Sequence, residues 1–264
     1  MDLGFADATA VVAGGTRGIG LATSLCLAGE GCRVAVVGRD EARLRETARA
    51  AAAAGSPEVL RLPADLTSAS DVDAVFDAVE RRWGTLNVLV NAAGPAGAGR
   101  FEDMDDAGWS DAFDQGAMSA VRCVRAALPL LRAAEWARVV NVTAMSVQHQ
   151  SPALVSYTAA KSALLSITKN LARTLAPDGI LVNAVAPGPI LTDWAQPMLA
   201  SAGIDMDDPV AAFRLLQRGH GMSVDLGRLG LPHEVGAVIA FCASRRNGYM
   251  TGAHLNVDGG SDFL

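Results

Sequence analysis

The sequence predicts an α/β fold, a single domain built on a parallel sheet with helices on both faces. Three observations carry that reading. Short apolar runs recur along the chain, and longer stretches with helical periodicity lie between them. Repeated strand–helix alternation gives parallel strands joined by crossover helices. No linker-like stretch divides the 264 residues, and half of them are hydrophobic, enough to bury one large core.

Taken in order, residues 9–13, 33–37, 59–62, 88–90, 138–142, 181–185 and 254–257 read as buried strands, seven in all. Residues 18–28, 41–54, 70–82, 119–134, 156–175 and 232–243 read as the helices. Two segments break the rhythm. Residues 94–104 are glycine-rich and follow a strand. Residues 192–229 are long, hold Pro197, Gly203, Pro209, Gly219 and Gly221, and contain one helical piece near 209–218. Long irregular insertions in a compact domain are usually lids or binding loops; the alternative is a tolerated surface insertion.

Composition narrows the function. A net charge of -6 and 5% aromatic residues argue against a nucleic-acid surface. Cys26, Cys32, Cys123 and Cys242 are scattered, which fits small core residues in a reducing, cytoplasmic setting rather than a disulfide framework. His149, His220, His233 and His254 are too dispersed for a metal site, so none is expected. The opening Met1-Asp2-Leu3-Gly4 carries no signal-peptide pattern, and no apolar run suggests a membrane span.

The first strand runs into Gly14-Gly15-Thr16-Arg17-Gly18-Ile19-Gly20 and then a helix. Glycines let the backbone turn sharply and approach a ligand, and a helix N-terminus presents free N–H groups to a pyrophosphate. The position after the first strand is the one a dinucleotide site requires. At the end of the second strand, where an acidic residue would bind the ribose 2′-OH of NAD, stands Gly38, followed by Arg39 and Asp40. Arg39 and Arg17 together suit a 2′-phosphate, because guanidinium grips phosphate with two prongs. NADP(H) is therefore expected over NAD(H). The alternative is that Arg39 opens a solvated helix and Asp40 caps it.

Tyr157 and Lys161 stand four residues apart, on one face of a helix. A cation beside a phenol favours the phenolate, so the tyrosine pKa is expected to fall from about 10. Such a tyrosine can give or take a proton at an alcohol or carbonyl oxygen.

With the glycine turn, Asn91-Ala92-Ala93-Gly94 and Tyr157-x-x-x-Lys161 in this order, the chain resembles the short-chain dehydrogenase/reductase family from about Thr9 to about Gly260. The resemblance implies a doubly wound Rossmann-type sheet of seven strands, and usually a homo-oligomer, a tetramer or dimer. It assigns Gly14, Gly18, Ile19 and Gly20, with Thr16 and Arg17 between them, to the pyrophosphate turn. Asp65, followed by Leu66, would bond the adenine amino group. Asn91, Ala93 and Gly94 would floor the cofactor. Pro187-Gly188-Pro189-Ile190-Leu191-Thr192 looks like the nicotinamide clasp, with the Ile190 backbone and Thr192 hydroxyl near the carboxamide. Tyr157 would be the general acid/base, and Lys161 would activate it and hold the nicotinamide ribose.

Two positions depart from the family pattern. The serine usual 13 residues before the tyrosine is Ala144, and the usual asparagine of the fourth helix region falls on Gly116. Losing one oxyanion-type donor typically costs about 2.7–4 kcal/mol. Thr143 and Ser146 flank Ala144 and are candidate replacements, with Gln148 and His149 beyond; the alternative is that each hydroxyl serves only local backbone. The expected function is NADP(H)-dependent interconversion of a ketone and a secondary alcohol. Elimination, isomerisation or cyclisation on the same fold, and a non-enzymatic cofactor-binding role, are the alternatives. Residues 95–101, 145–152 and 192–229 would wall the pocket, with Met145, Leu154, Trp194, Met198 and Phe213 favouring a small apolar substrate; otherwise these residues pack the lid against the body.

Overall fold

The computed structural model describes residues 2–95, 99–220 and 223–261, with backbone alone at 219 and 220. Residues 96–98 of the expected pocket wall and Gly221 of the insertion lie outside the described residues. The strands are β1 (Thr9–Ala13), β2 (Arg33–Gly38), β3 (Val59–Pro63), β4 (Val88–Asn91), β5 (Ala137–Val142), β6 (Ile180–Pro187) and β7 (His254–Val257). They form one sheet in the order β3-β2-β1-β4-β5-β6-β7, and every pairing is parallel. The fold is the expected doubly wound Rossmann-type sheet, and strand bounds agree with the sequence reading to within two residues.

The helices are α1 (Gly18–Gly29), α2 (Glu41–Ala54), α3 (Ala69–Trp83), α4 (Asp106–Phe113), α5 (Ser119–Ala133), α6 (Val155–Leu175), α7 (Gln196–Ser201), α8 (Pro209–His220) and α9 (Pro232–Ala243). Leu27 of α1, Leu44 and Ala51 of α2, and Val235 and Ile239 of α9 pack on one face of the sheet, against Val12, Val34 and Val36. Val75 and Val79 of α3, Val124 and Ala127 of α5, and Ala172 and Leu175 of α6 pack on the other, against Val11, Ala35 and Leu89. Strand side chains alternate between the two layers, and both layers are apolar because crossover helices cover both faces.

Two segments differ from the sequence reading. Helix α4 and the π-helical turn Asp114–Met118 precede α5, where only a helix from 119 was expected. Asp105, Asp106, Gly108 and Asp111 weaken the apolar period there, and the helix starts because the Asp105 carboxylate accepts from the Gly108 N–H at 2.8 Å. The insertion holds α7, α8 and a 3₁₀ turn at Asp193–Ala195, not one helical piece. It also has its own apolar cluster: Leu191, Ala195, Leu199, Ala212, Phe213, Leu216, Val224 and Leu229, with Met198 packed against them. Phe213 and Met198, expected on the substrate side, thus fill the interior of the insertion.

Candidate active site

The chain winds from β1 outward to β2 and β3, then returns to β4 and continues through β5, β6 and β7 to the other edge. Strand order reverses between β1 and β4, which opens a crevice at their C-terminal ends, where α/β sheets bind ligands. Gly14 follows β1 into that crevice with φ +80°, and a Cβ there would lie 2.8 Å from the Ala93 nitrogen. A side chain at 14 is excluded twice, by conformation and by the β4 loop.

Helix α1 begins beside it. Its N-cap, Arg17, is extended and makes no side-chain capping bond, and the first turn carries no acidic residue. By contrast Asp40, Ser68 and Asp105 cap α2, α3 and α4. The first N–H groups of α1 therefore remain free, at the positive end of the helix dipole, and suit a pyrophosphate. Arg17 and Arg39 are exposed, and neither side chain makes a hydrogen bond or ion pair with another described residue. A Cβ at Gly38 would lie 3.0 Å from the Thr16 side chain, so the end of β2 packs tightly on the glycine turn and carries no acidic side chain to read a 2′-OH. Asp40 is the cap of α2, accepting from the Ala42 and Arg43 N–H groups. One Asp65 carboxylate oxygen accepts from the Thr67 N–H and hydroxyl. Those bonds, with Arg39 nearby, hold its carboxyl below the ordinary value. Leu66 packs against the α3 layer of the core.

The catalytic candidates sit on α6. Lys161 is buried, and its Nζ donates to the Val142 carbonyl at 2.8 Å. That Nζ stands 5.9 Å from the centre of the Tyr157 ring. It would touch a Cβ on Gly94 at 2.9 Å, which is why the β4 loop needs glycine there. Tyr157 is half-buried, and its hydroxyl makes no hydrogen bond with any described residue. One expectation is corrected. Burial pushes the Tyr157 phenol up to about 12 and Lys161 down to about 8. In the ligand-free chain desolvation outweighs any help from the cation, because the ammonium bonds the β5 backbone instead of the phenol.

A stability signature follows. With an ordinary lysine at 10.5 and the folded value near 8, the unfolded chain holds more protons between those limits, so stability rises with pH across that window. Tyr157, raised from 10 to about 12, acts oppositely, and stability falls again above pH 10. Below pH 8 the full cost of the buried cation stands. Lys161→Met should therefore raise the ligand-free melting temperature at pH 7 and remove the rise above pH 8; thermal melts across pH check this.

The clasp segment closes over the same crevice. Pro187 ends β6, Gly188 packs its α-carbon beside Asp258, and the Leu191 N–H donates to the Gly230 carbonyl at 2.8 Å. Thr192 then reaches the start of α1, where a Cβ on Gly18 would meet it at 3.2 Å. Next to it Asp193 pairs with Arg43 of α2 at 2.7 Å. Sequence spacing could not reveal that pair, because its partners are 150 residues apart.

A family model described as enoyl-(acyl carrier protein) reductase matches residues 13–262. The short-chain reductase protein NovJ of Streptomyces niveus is 32% identical over 254 residues, 96% of this chain and 94% of that one. A 3-oxoacyl-[acyl-carrier-protein] reductase of Synechocystis sp. is 31% identical over 95% of each chain. The structure of L-sorbose reductase from Gluconobacter frateurii, complexed with NADPH and L-sorbose, superposes with a TM-score of 0.91 at 29% identity over the full length of both. The chain belongs to the short-chain dehydrogenase/reductase family.

The two positions that the sequence reading set against the family pattern are both closely packed. Ala144 is buried at the end of β5. Gly116 lies in the π-helical turn, and a Cβ there would stand 2.8 Å from the Ala160 Cβ and 3.2 Å from Pro95. No side chain fits at 116 without moving α6. The Thr143 hydroxyl is engaged by the Val185 carbonyl at 3.1 Å and by His254 at 3.0 Å, so it is spoken for. Ser146 is buried and accepts from the Thr158 hydroxyl at 3.0 Å. Gln148 and His149 are exposed. Among the described residues no cluster of His, Cys, Asp or Glu can hold a metal ion, and no helix is long and apolar enough to cross a membrane.

Proposed function

We propose that the chain is an NADP(H)-dependent oxidoreductase interconverting a ketone and a secondary alcohol, with Tyr157 as general acid/base and Lys161 as its activator. The observation that carries this reading is a phenol hydroxyl without a partner among the described residues, one helical turn from a buried ammonium that abuts the β4 loop at Gly94. A nicotinamide cofactor held there supplies or accepts hydride. The first turn of α1 holds the pyrophosphate, Thr192 and the Ile190 backbone hold the carboxamide, and Asp65 takes the adenine end. Tyr157 gives its proton to the carbonyl oxygen in reduction and takes it back from the alcohol in oxidation. Lys161, as a cation, favours the phenolate.

Arg17 and Arg39 would receive the 2′-phosphate. Arg39→Ala should weaken NADPH by roughly 10- to 100-fold, the worth of one or two charge-assisted hydrogen bonds, and leave NADH nearly unchanged. Equal weakening in a fluorescence titration would remove the 2′-phosphate assignment. The substrate is a small, mostly apolar molecule lodged between the 99–101 strip, which pairs with Leu154, and the insertion acting as its lid. A homo-oligomer, tetramer or dimer, in the cytoplasm completes the reading. Incubation with NADPH and a panel of ketones, following loss of reduced nicotinamide, tests it.

A second reading has its own support. Ala144 removes the usual carbonyl-polarising hydroxyl, and the packing around Gly116 leaves no room for the usual relay asparagine. Tyr157 and Lys161 would then move protons in an elimination, isomerisation or cyclisation. Substrate consumed without change in the nicotinamide would favour this reading.

A further inference from the structure

Beneath Lys161 runs a buried chain of polar side chains that the proposed reaction does not use. The Asn91 Nδ2 donates to Asn141 Oδ1 at 2.8 Å, and the Asn141 Nδ2 donates to the Thr168 hydroxyl at 2.8 Å. The Thr168 hydroxyl donates to the Leu164 carbonyl at 2.8 Å. Neither amide orientation is arbitrary. A backbone carbonyl only accepts, so Thr168 must donate to it and accept from Asn141. Asn141 then turns its oxygen to Asn91, and Asn91 turns its NH₂ to Asn141. The chain ends on Asn91 Oδ1, which is buried and has no donor among the described residues. An amide oxygen left so in a protein interior costs on the order of 1–3 kcal/mol, and a buried water usually meets it.

The position of this orphan is informative. Asn91 and Asn141 are register partners on the α6 side of the sheet. Asn141 bonds Thr168, while the next residue, Val142, bonds Lys161, so both α6 residues face the same end of β5. Thr168 and Lys161 are seven residues apart, two turns along one helix face. Gly94, three residues beyond Asn91, abuts Lys161 Nζ. That Nζ carries three hydrogens and places one, on Val142. An acceptor short of a donor and a buried ammonium with hydrogens to place are therefore tied to successive residues of β5, Asn141 and Val142.

We infer that Asn91 is a positioning residue for Lys161: a buried water donates to Asn91 Oδ1 and accepts from Lys161 Nζ. The Asn91–Asn141–Thr168 chain thereby supports the ammonium from within the sheet, where Gly116 offers no side chain. This deepens the proposed oxidoreductase reading and rests on it for its catalytic meaning only. The water site itself stands or falls independently.

A high-resolution crystal structure of the ligand-free wild type is the direct test. The expected result is an ordered water within about 3.2 Å of both atoms. A different donor on Oδ1, or a water that does not reach Nζ, overturns the inference whether or not the chain reduces ketones. In solution Asn91→Leu removes the acceptor. Loss of a hydrogen bond supporting a cation makes Lys161 release its proton sooner, so the alkaline limb of kcat should move to lower pH by roughly one unit. kcat should fall roughly tenfold or more. Thr168→Val frees both amides to turn over and should shift the limb in the same direction. A lower melting temperature in both variants with an unmoved limb would make the chain purely structural and overturn the inference.

Discussion

Tyr157→Phe should lower carbonyl turnover by roughly 10²- to 10⁴-fold, the usual contribution of a positioned general acid, while NADPH binding changes little. The substitution removes one oxygen and leaves the ring. The ring is the part of Tyr157 that packs near Lys161, 5.9 Å from Nζ, and the hydroxyl bonds none of the described residues. Folding should therefore be indifferent to its loss. Stopped turnover with an unchanged melt and an unchanged cofactor titration is the pattern expected of a group acting at the reacting oxygen. Persistent nicotinamide oxidation in the Phe variant would sink the acid/base role. Unaltered substrate consumption without redox change would move the chain to the non-redox reading.

The second large effect concerns the glycine turn. Gly20→Ala places a methyl carbon 2.1 Å from the Gly14 carbonyl oxygen. Two effects oppose one another. Alanine in a helix is favoured over glycine by about 1 kcal/mol, and overpacking a tight contact costs about 1–3 kcal/mol. The clash wins because the obstacle is backbone and cannot swing aside. The Gly14 and Gly15 N–H groups both donate to the Val37 carbonyl, which ties the turn to β2. The variant should melt earlier and bind no NADPH. Gly29, at the far end of the same helix, is the matched control. Its nearest obstacle is 3.8 Å away and it is exposed, so Gly29→Ala should hold or gain stability and keep cofactor affinity. Urea melts with NADPH titrations separate the two outcomes.

The sheet was legible because its strands are short apolar runs bounded by glycine and polar residues, a pattern that helical crossovers on both faces enforce. The cofactor end was legible for a related reason. Gly14 and Gly18 take a left-handed backbone, and Gly14 and Gly38 have close neighbours where a Cβ would stand, and those requirements are written as residue type. What could not be read lies in three dimensions only. The protonation of Tyr157 and Lys161 depends on how deeply they are buried and on where Nζ points, and the carbonyl it found is that of Val142. Nothing in the spacing of Tyr157 and Lys161 contains that choice. The emptiness at 116 could be seen as a glycine, but its cause, the pressure of Ala160 and Pro95, could not. Helix α4 escaped because a run rich in aspartate and glycine hides a helix that owes its start to one carboxylate. The apolar residues of the insertion were visible, yet whether they faced a substrate or each other was not.

That last point has a consequence for how such a protein can diversify. An excursion from the sheet that buries its own leucines around Phe213 has a small core of its own, fastened where Ile190 pairs with Gly230. Its outer surface can be rewritten without disturbing the strands, and a relative's version can be grafted between the same two anchors. Under the proposed function, ligand preference then becomes a cassette, exchangeable over a cofactor platform that stays as it is.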